Sequence, residues 1–146
     1  MKKIDVYDLF TGHDDATGEH IYYEDKEGTK PYNGIAFEIF RGKLCSEFEV
    51  KDGYNTGIEK TYYEDTGELQ GVFEMERNTV NGIAKEFYKN GKMQCQSIVI
   101  NNQYINTIYY DEEGNVTEIY EMQPDDMEYS VVKDRIPIYR EKYKLI

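Results

Sequence analysis

Two phrases of nearly the same pattern, GIEKTYYEDTGEL at residues 57–69 and GIAKEFYKNGKM at 82–93, begin 25 residues apart. A chain that writes one phrase at a fixed period builds a repetitive object. Each copy is one supersecondary unit that buries its apolar side only by stacking on the next. The full pattern has two halves. One runs from glycine to glycine: GKLCSEFEVKDGYNTG (42–57), GELQGVFEMERNTVNG (67–82) and GKMQCQSIVINNQYIN (91–106), with a partial copy GNVTEIYEM from Gly114. Their opening glycines are 25, 24 and 23 residues apart. The other half runs from a glycine to an aromatic pair: GIAFEIF (34–40), GIEKTYY (57–63) and GIAKEFY (82–88). YINTIYY (104–110) places Tyr104 in the glycine slot, and GEHIYYEDKEG (18–28) is an earlier echo.

Within each half the residues alternate. Leu69, Phe73 and Met75 interleave with Glu68, Gln70 and Glu74, and Leu44, Phe48 and Val50 with Cys45, Glu47 and Glu49. A period of two means strands with one drier face. YEDTG, YKNG and YDEEG supply hairpin turns, with Gly or Asn for positive φ. A glycine every eight to fifteen residues excludes long helices. The expected fold is therefore all-β: an elongated antiparallel meander of repeated β-hairpins forming a single-layer, curved sheet. Residues 1–146 read as one domain, with hairpin repeats over 18–122 and a non-repeat cap or accessory segment at 123–146.

At YYEDTGELQGVFEMERNTVNGIAKEFYKNGKM the pattern resembles the MORN-repeat variant family, best from Gly34 to Met93. The resemblance implies a trough-like meander and, from the antitoxin-like and immunity members of that family, inhibition of a toxin. The chain departs from the family pattern in having no Trp and in lacking a closing glycine in its fourth copy.

Charge narrows the partners. The net charge is −12, with 29 acids against 17 bases, which disfavours nucleic acid and stable association with anionic membrane. Lys133, Arg135, Arg140, Lys142 and Lys144 make residues 129–146 a net +3, leaving −15 for the rest. Such a tail can fold back on an acidic body or reach a separate surface. Cys45 and Cys95 sit in no C-x-x-C motif and read as free thiols. MKKIDVYDLF puts Asp5 and Asp8 where a signal peptide needs apolar residues, and no apolar run is long enough to span a bilayer. These features point to a cytoplasmic location.

No phosphate-loop, dinucleotide, serine-elbow or zincin motif is present. His13 and His20, with Asp14, Asp15 and Glu19, match no zinc spacing and read as a polar loop. The expectation is no enzyme, no cofactor and no metal, although a pair of strand carboxylates remains the alternative for catalysis. What remains is a face. Simple alternation places Ile35, Phe37, Ile39, Leu44, Phe48, Ile58, Tyr62, Leu69, Phe73, Ile83, Phe87 and Met93 on one side. The opposite side then gathers Glu38, Glu47, Glu49, Glu59, Glu68, Glu74 and Glu86, with Phe40, Tyr63, Tyr88 and Tyr110 at strand ends. An ordinary wet sheet face has the same pattern. Read functionally, these residues bind a protein partner, a basic toxin domain: carboxylates steer it and tyrosines hold it. The competing reading is a scaffolding repeat protein that self-associates through open edges or lies near a membrane.

Overall fold

In the computed structural model, which describes residues 1–145, the repeats form one open antiparallel meander. The strands of that run are β4 (Gly34–Phe40), β5 (Lys43–Lys51), β6 (Tyr54–Tyr62), β7 (Leu69–Glu76), β8 (Thr79–Phe87), β9 (Met93–Ile100), β10 (Gln103–Tyr110) and β11 (Val116–Glu121). Each pairs with its sequence neighbour, so nearly every connection is a hairpin. A ninth strand, β1 (Lys3–Asp5), lies parallel to β4 at one edge. The echo at 18–28 makes no rung of this sheet. Its residues form β3 (His20–Tyr23), paired with β2 (Phe10–His13) as a separate hairpin. The non-repeat tail carries two short helices, α1 (Tyr129–Val132) and α2 (Ile136–Lys142). Among the described residues, no helix is long and apolar enough to cross a membrane.

The meander is stitched at both ends of its strands. Residues 52–53, 77–78 and 101–102 make two-residue turns in which both positions have positive φ, for example 45° at Arg77 and 70° at Asn78. That is the turn whose twist matches a hairpin. The second turn residue also reaches sideways to the preceding hairpin. Gly53, Asn78 and Asn102 donate their N–H groups to the carbonyls of Tyr32, Asn55 and Val80 at 2.8–2.9 Å. Asn78 and Asn102 return the contact, their Oδ1 atoms accepting from the N–H of Asn55 and Val80 at 2.9 and 2.7 Å. At the other end the Tyr63 hydroxyl donates to the Phe87 carbonyl at 2.6 Å, and that of Tyr88 to the Tyr110 carbonyl at 2.7 Å. Aromatic residues at the repeat's end are therefore rung-to-rung ties.

The recurring glycine has a different cause. Phe48 pairs with Glu59 and Val50 with Asn55, so Glu49 faces a bulge of residues 56–58. Glu74 faces residues 81–83 in the same way. In each bulge the glutamate carboxylate accepts the N–H of the following isoleucine, Ile58 or Ile83. Gly57 and Gly82 hold φ of 114° and 123°, and a Cβ there would lie 2.5 and 2.4 Å from the Glu49 and Glu74 carboxylates. Glycine is required twice over, by torsion and by space. In the next rung Ser97 pairs with Thr107. By that register Ile105, not Tyr104, occupies the glycine slot, while Ile98 stands where the glutamate was. The bulge shrinks to one residue there, and a fully buried isoleucine replaces the polar device.

Paired residues share a face, so the register fixes two rows. Ala36, Phe48, Glu59, Phe73, Ala84, Ser97, Thr107 and Tyr120 lie on one face. Ile35, Glu49, Ile58, Glu74, Ile83, Ile98 and Asn106 lie on the other. The first face is covered over β4 and β5 by the N-terminal segment and the β2–β3 hairpin. There Leu9, Tyr32, Ala36, Phe48 and Val50 form a core joined by Ile4, Val6 and Tyr22. We call it the hairpin face. The second is covered over β9 and β10 by the tail, where Ile98, Ile100 and Ile105 pack with Met122, Val132 and Ile136. This is the helix face. The basic tail thus folds back onto the body, with Arg140 Nε donating to Asn106 Oδ1 at 2.6 Å and Tyr143 and Leu145 against the same core. Each cover protects one end of one face, and the hairpin face stays open over β8–β11.

Gly82→Ala is expected to lower stability by about 2–4 kcal/mol in urea unfolding, because torsional strain adds to a clash with Glu74. Gly91→Ala, with positive φ but nothing within 4 Å of the new Cβ, is expected to cost only about 1 kcal/mol.

Candidate protein-interaction surface

The residues expected to share one acidic face do not share it. Glu38, Glu59 and Glu86 lie on the hairpin face, and Glu47, Glu49 and Glu74 on the helix face. The bulges are the reason: extra residues on one strand shift the pairing, so positions counted by twos along the sequence change partners. Phe48 and Phe73 likewise part from Ile35, Ile58 and Ile83.

Most of those acids are already engaged. Glu49 and Glu74 fill the bulges. Glu47 pairs across the ladder with Lys60 and accepts from Lys3 at 3.4 Å. Glu59 is half-buried between Phe48 and Phe73 and accepts from Asn55 Nδ2 at 2.9 Å. Glu38 lies beside the Tyr7 hydroxyl and helps hold it above its ordinary range. Glu68 is exposed in the turn before β7, its carboxyl lowered first by the Thr66 hydroxyl. Phe40 stands exposed at the first tight turn under the Arg41 guanidinium, 5.1 Å from its ring centre. Tyr63 and Tyr88 are the rung ties, and the Tyr110 hydroxyl accepts from Gln96 Nε2 at 2.7 Å.

Glu86, exposed and bonded among the described residues only to the Cys95 thiol of its own ladder row, leads to the surface that residue counting missed. Its ladder partners run Glu86, Cys95, Tyr109, Glu118 across β8 to β11 on the hairpin face. Glu86 and Glu118 are exposed, Tyr109 is 39% exposed and Tyr104, two rows along beside Val99, 40%. Small buried residues, Ala84, Ser97 and Thr107, lie in the neighbouring row, and the Ser97 and Thr107 hydroxyls bond each other at 2.7 Å. The large polar rings thus stand beside a short-side-chain strip. Burial pushes up the hydroxyls of both tyrosines, and Glu86 and the Cys95 thiol push further in the same direction. Cys95 Sγ donates to Glu86 Oε2 at 3.2 Å. Burial first and Glu86 second push that thiol up to about 12, so it stays protonated and a poor nucleophile at neutral pH.

The charge on this face has one sign. Lys60 and Lys85 are the only bases inside the strands β6 to β11, and both lie on the helix face; Arg77, Lys89 and Lys92 stand in turns. The strand-borne acids of the hairpin face over β8–β11 thus stand without a strand cation beside them. The sequence carries Tyr104, Tyr109 and Glu118 in its degenerate fourth copy, but the odd spacing of the two tyrosines reads by alternation as opposite faces. The one-residue bulge at Ile105 hid their common face.

The polar loop at 13–20 is committed locally. Asp14 Oδ1 accepts from the N–H groups of Ala16 and Thr17 at 2.8 and 2.9 Å, and Glu19 pairs with Arg77 at 3.1 Å. His13 and His20 are cross-strand partners with ring centres 5.9 Å apart. Among the described residues, no three His, Cys, Asp or Glu side chains converge as a metal-ligand set. Comparison of the chain with protein-family models, curated proteins and solved structures finds no match.

Glu59 gives a pH test. Burial holds its carboxyl above the ordinary range, and the Asn55 bond pulls less strongly the other way. A folded-state pKa above the unfolded one means stability that is full below the unfolded value. That stability is lost as pH rises through the folded value. Glu59→Gln keeps the acceptor for Asn55 without a charge. Its urea midpoint should exceed that of the parent at pH 7, and the gap should close as the pH falls below about 4.

Proposed function

We propose that this chain is a non-enzymatic, protein-binding repeat protein, an immunity or antitoxin protein that neutralises a basic toxin by covering its active cleft. The observation that carries the reading is the base-free, tyrosine-studded strip of the hairpin face, Glu86, Tyr104, Tyr109 and Glu118. A toxin that attacks nucleic acid presents cationic side chains to phosphates. Carboxylates spaced along a ladder draw those cations in, and the tyrosine rings pack against arginine once water is expelled. The protonated Cys95 thiol beneath the strip supports a surface that binds without chemistry. The resemblance of residues 34–93 to the MORN-repeat variant supports the immunity role, and the net charge of −12 supports a cationic partner.

The experiment is co-expression and co-purification with the polypeptide encoded next to this chain, followed by calorimetry. The expected result is relief of that polypeptide's toxicity and a nanomolar complex that tolerates modest salt. Tyr109→Ala is expected to weaken the complex about 30-fold, the loss of one buried aromatic anchor. Glu86→Lys with Glu118→Lys should slow association and flatten its dependence on salt, because the attraction that salt screens has been removed. Absence of binding to any neighbouring product ends the proposal.

A further inference from the structure

The sheet ends at β11, and that end is unlike the other. β1 is three residues long, carries Lys3 and lies at the margin of the N-terminal core. Short, lysine-bearing edges resist pairing with other chains. Strand β11 is twice as long, pairs only with β10, and has neither proline nor lysine. From Val116 to Ile119 every residue is exposed, with Val116 at 55% and Ile119 at 64%. Among the described residues, backbone groups on its outer side have no strand partner. At its far end the Glu121 carbonyl is closed off by Gln123 Nε2 at 3.1 Å.

The charge around this edge selects the occupant. Residues 111–122 hold Asp111, Glu112, Glu113, Glu118 and Glu121 and no base. A second copy of β11 laid alongside would set these acids against themselves, and like charges on adjacent strands destabilise pairing. The chain's own cationic tail is occupied on the helix face, where Tyr143 and Leu145 join the Ile98 core. We propose that the free edge of β11 is a strand-addition site that takes an extended, basic segment of a partner protein. Main-chain hydrogen bonds supply the affinity of such a mode, and alternate side chains its selectivity. Laid with its cations on the hairpin face, the added strand would set a lysine or arginine beside Glu118 and a valine-like side chain beside Ile119, while Glu121 on the helix face adds to the attraction. The inference rests on the protein-binding reading above only in expecting a basic protein partner. It places that partner's first contact at an edge rather than on the tyrosine strip.

The test uses the full chain and a synthetic octapeptide of alternating lysine and valine, with residue-resolved amide hydrogen exchange as the readout. The expected result is exchange slowed about tenfold or more at alternate amides of Val116–Glu121. The same peptide N-methylated at every residue keeps charge and side chains but loses both rows of donors, and it should leave those amides unchanged. Glu118→Lys with Glu121→Lys, both exposed, is expected to weaken peptide binding about tenfold. If that pair disturbs folding, Ile119→Thr serves instead. Three results overturn the inference. One is binding that perturbs Tyr104 and Tyr109 but leaves β11 exchange unaltered, which removes the edge while sparing the strip. Another is no binding by the peptide at all. The third is protection of β11 without peptide that grows with protein concentration, which makes a second copy the occupant.

Discussion

Sideways hydrogen bonding between successive hairpins holds this molecule together. A lone hairpin in water is marginal, and a single-layer sheet has little interior to rescue it. Each turn therefore serves two hairpins. The second residue of a tight turn closes its own strands and at the same time donates to the preceding rung. Where that residue is asparagine, its side chain takes a bond back from the same place. At the opposite ends tyrosine hydroxyls do the equivalent work over a span of about one repeat. The period of the sequence is the period of these ties.

That dependence explains what the sequence made legible. Alternation and turn chemistry identify the strands, because both are local. The 25-residue spacing identifies their order, because each tie needs the next copy at a fixed distance. Facing is different. It follows the ladder, and the ladder slips at residues 56–58 and 81–83, where extra residues stand opposite Glu49 and Glu74. Alternation read strand by strand therefore sorted Glu47 with Glu86 and Phe48 with Ile58, although each pair is split between faces. The tyrosines of GIEKTYY and GIAKEFY looked like anchors for a partner and proved to be ties, since nothing local says where a hydroxyl will find a carbonyl 22–24 residues away. The third bulge was missed for a related reason: Ile98 and Ile105 replace a carboxylate and a glycine with burial, leaving no polar trace.

Composition acquires meaning only with this architecture. Fifteen tyrosines and an apolar fraction of 39% suit a sheet that is dry on one side at one end and on the other side at the other. A tyrosine can cover short neighbours such as Ser97 and Thr107 while its hydroxyl stays near water. The N-terminal core gathers around Tyr32, whose buried hydroxyl donates to the Ile35 carbonyl at 2.7 Å, and the C-terminal core around three isoleucines and the helices. Neither core reaches the other, and the rungs between them are joined chiefly through backbone.

The two covers on opposite faces give the array a built-in direction. A rung appended to the chain after β11 would carry the tail away from the Ile98 core that it covers, although the outer edge of β11 itself is open. A further 25-residue unit inserted between β6 and β8 would leave both covers in place and lengthen both bare stretches together. The reach of this protein is thus adjustable from its middle, and gene duplication inside the array would rescale it without redesigning either end.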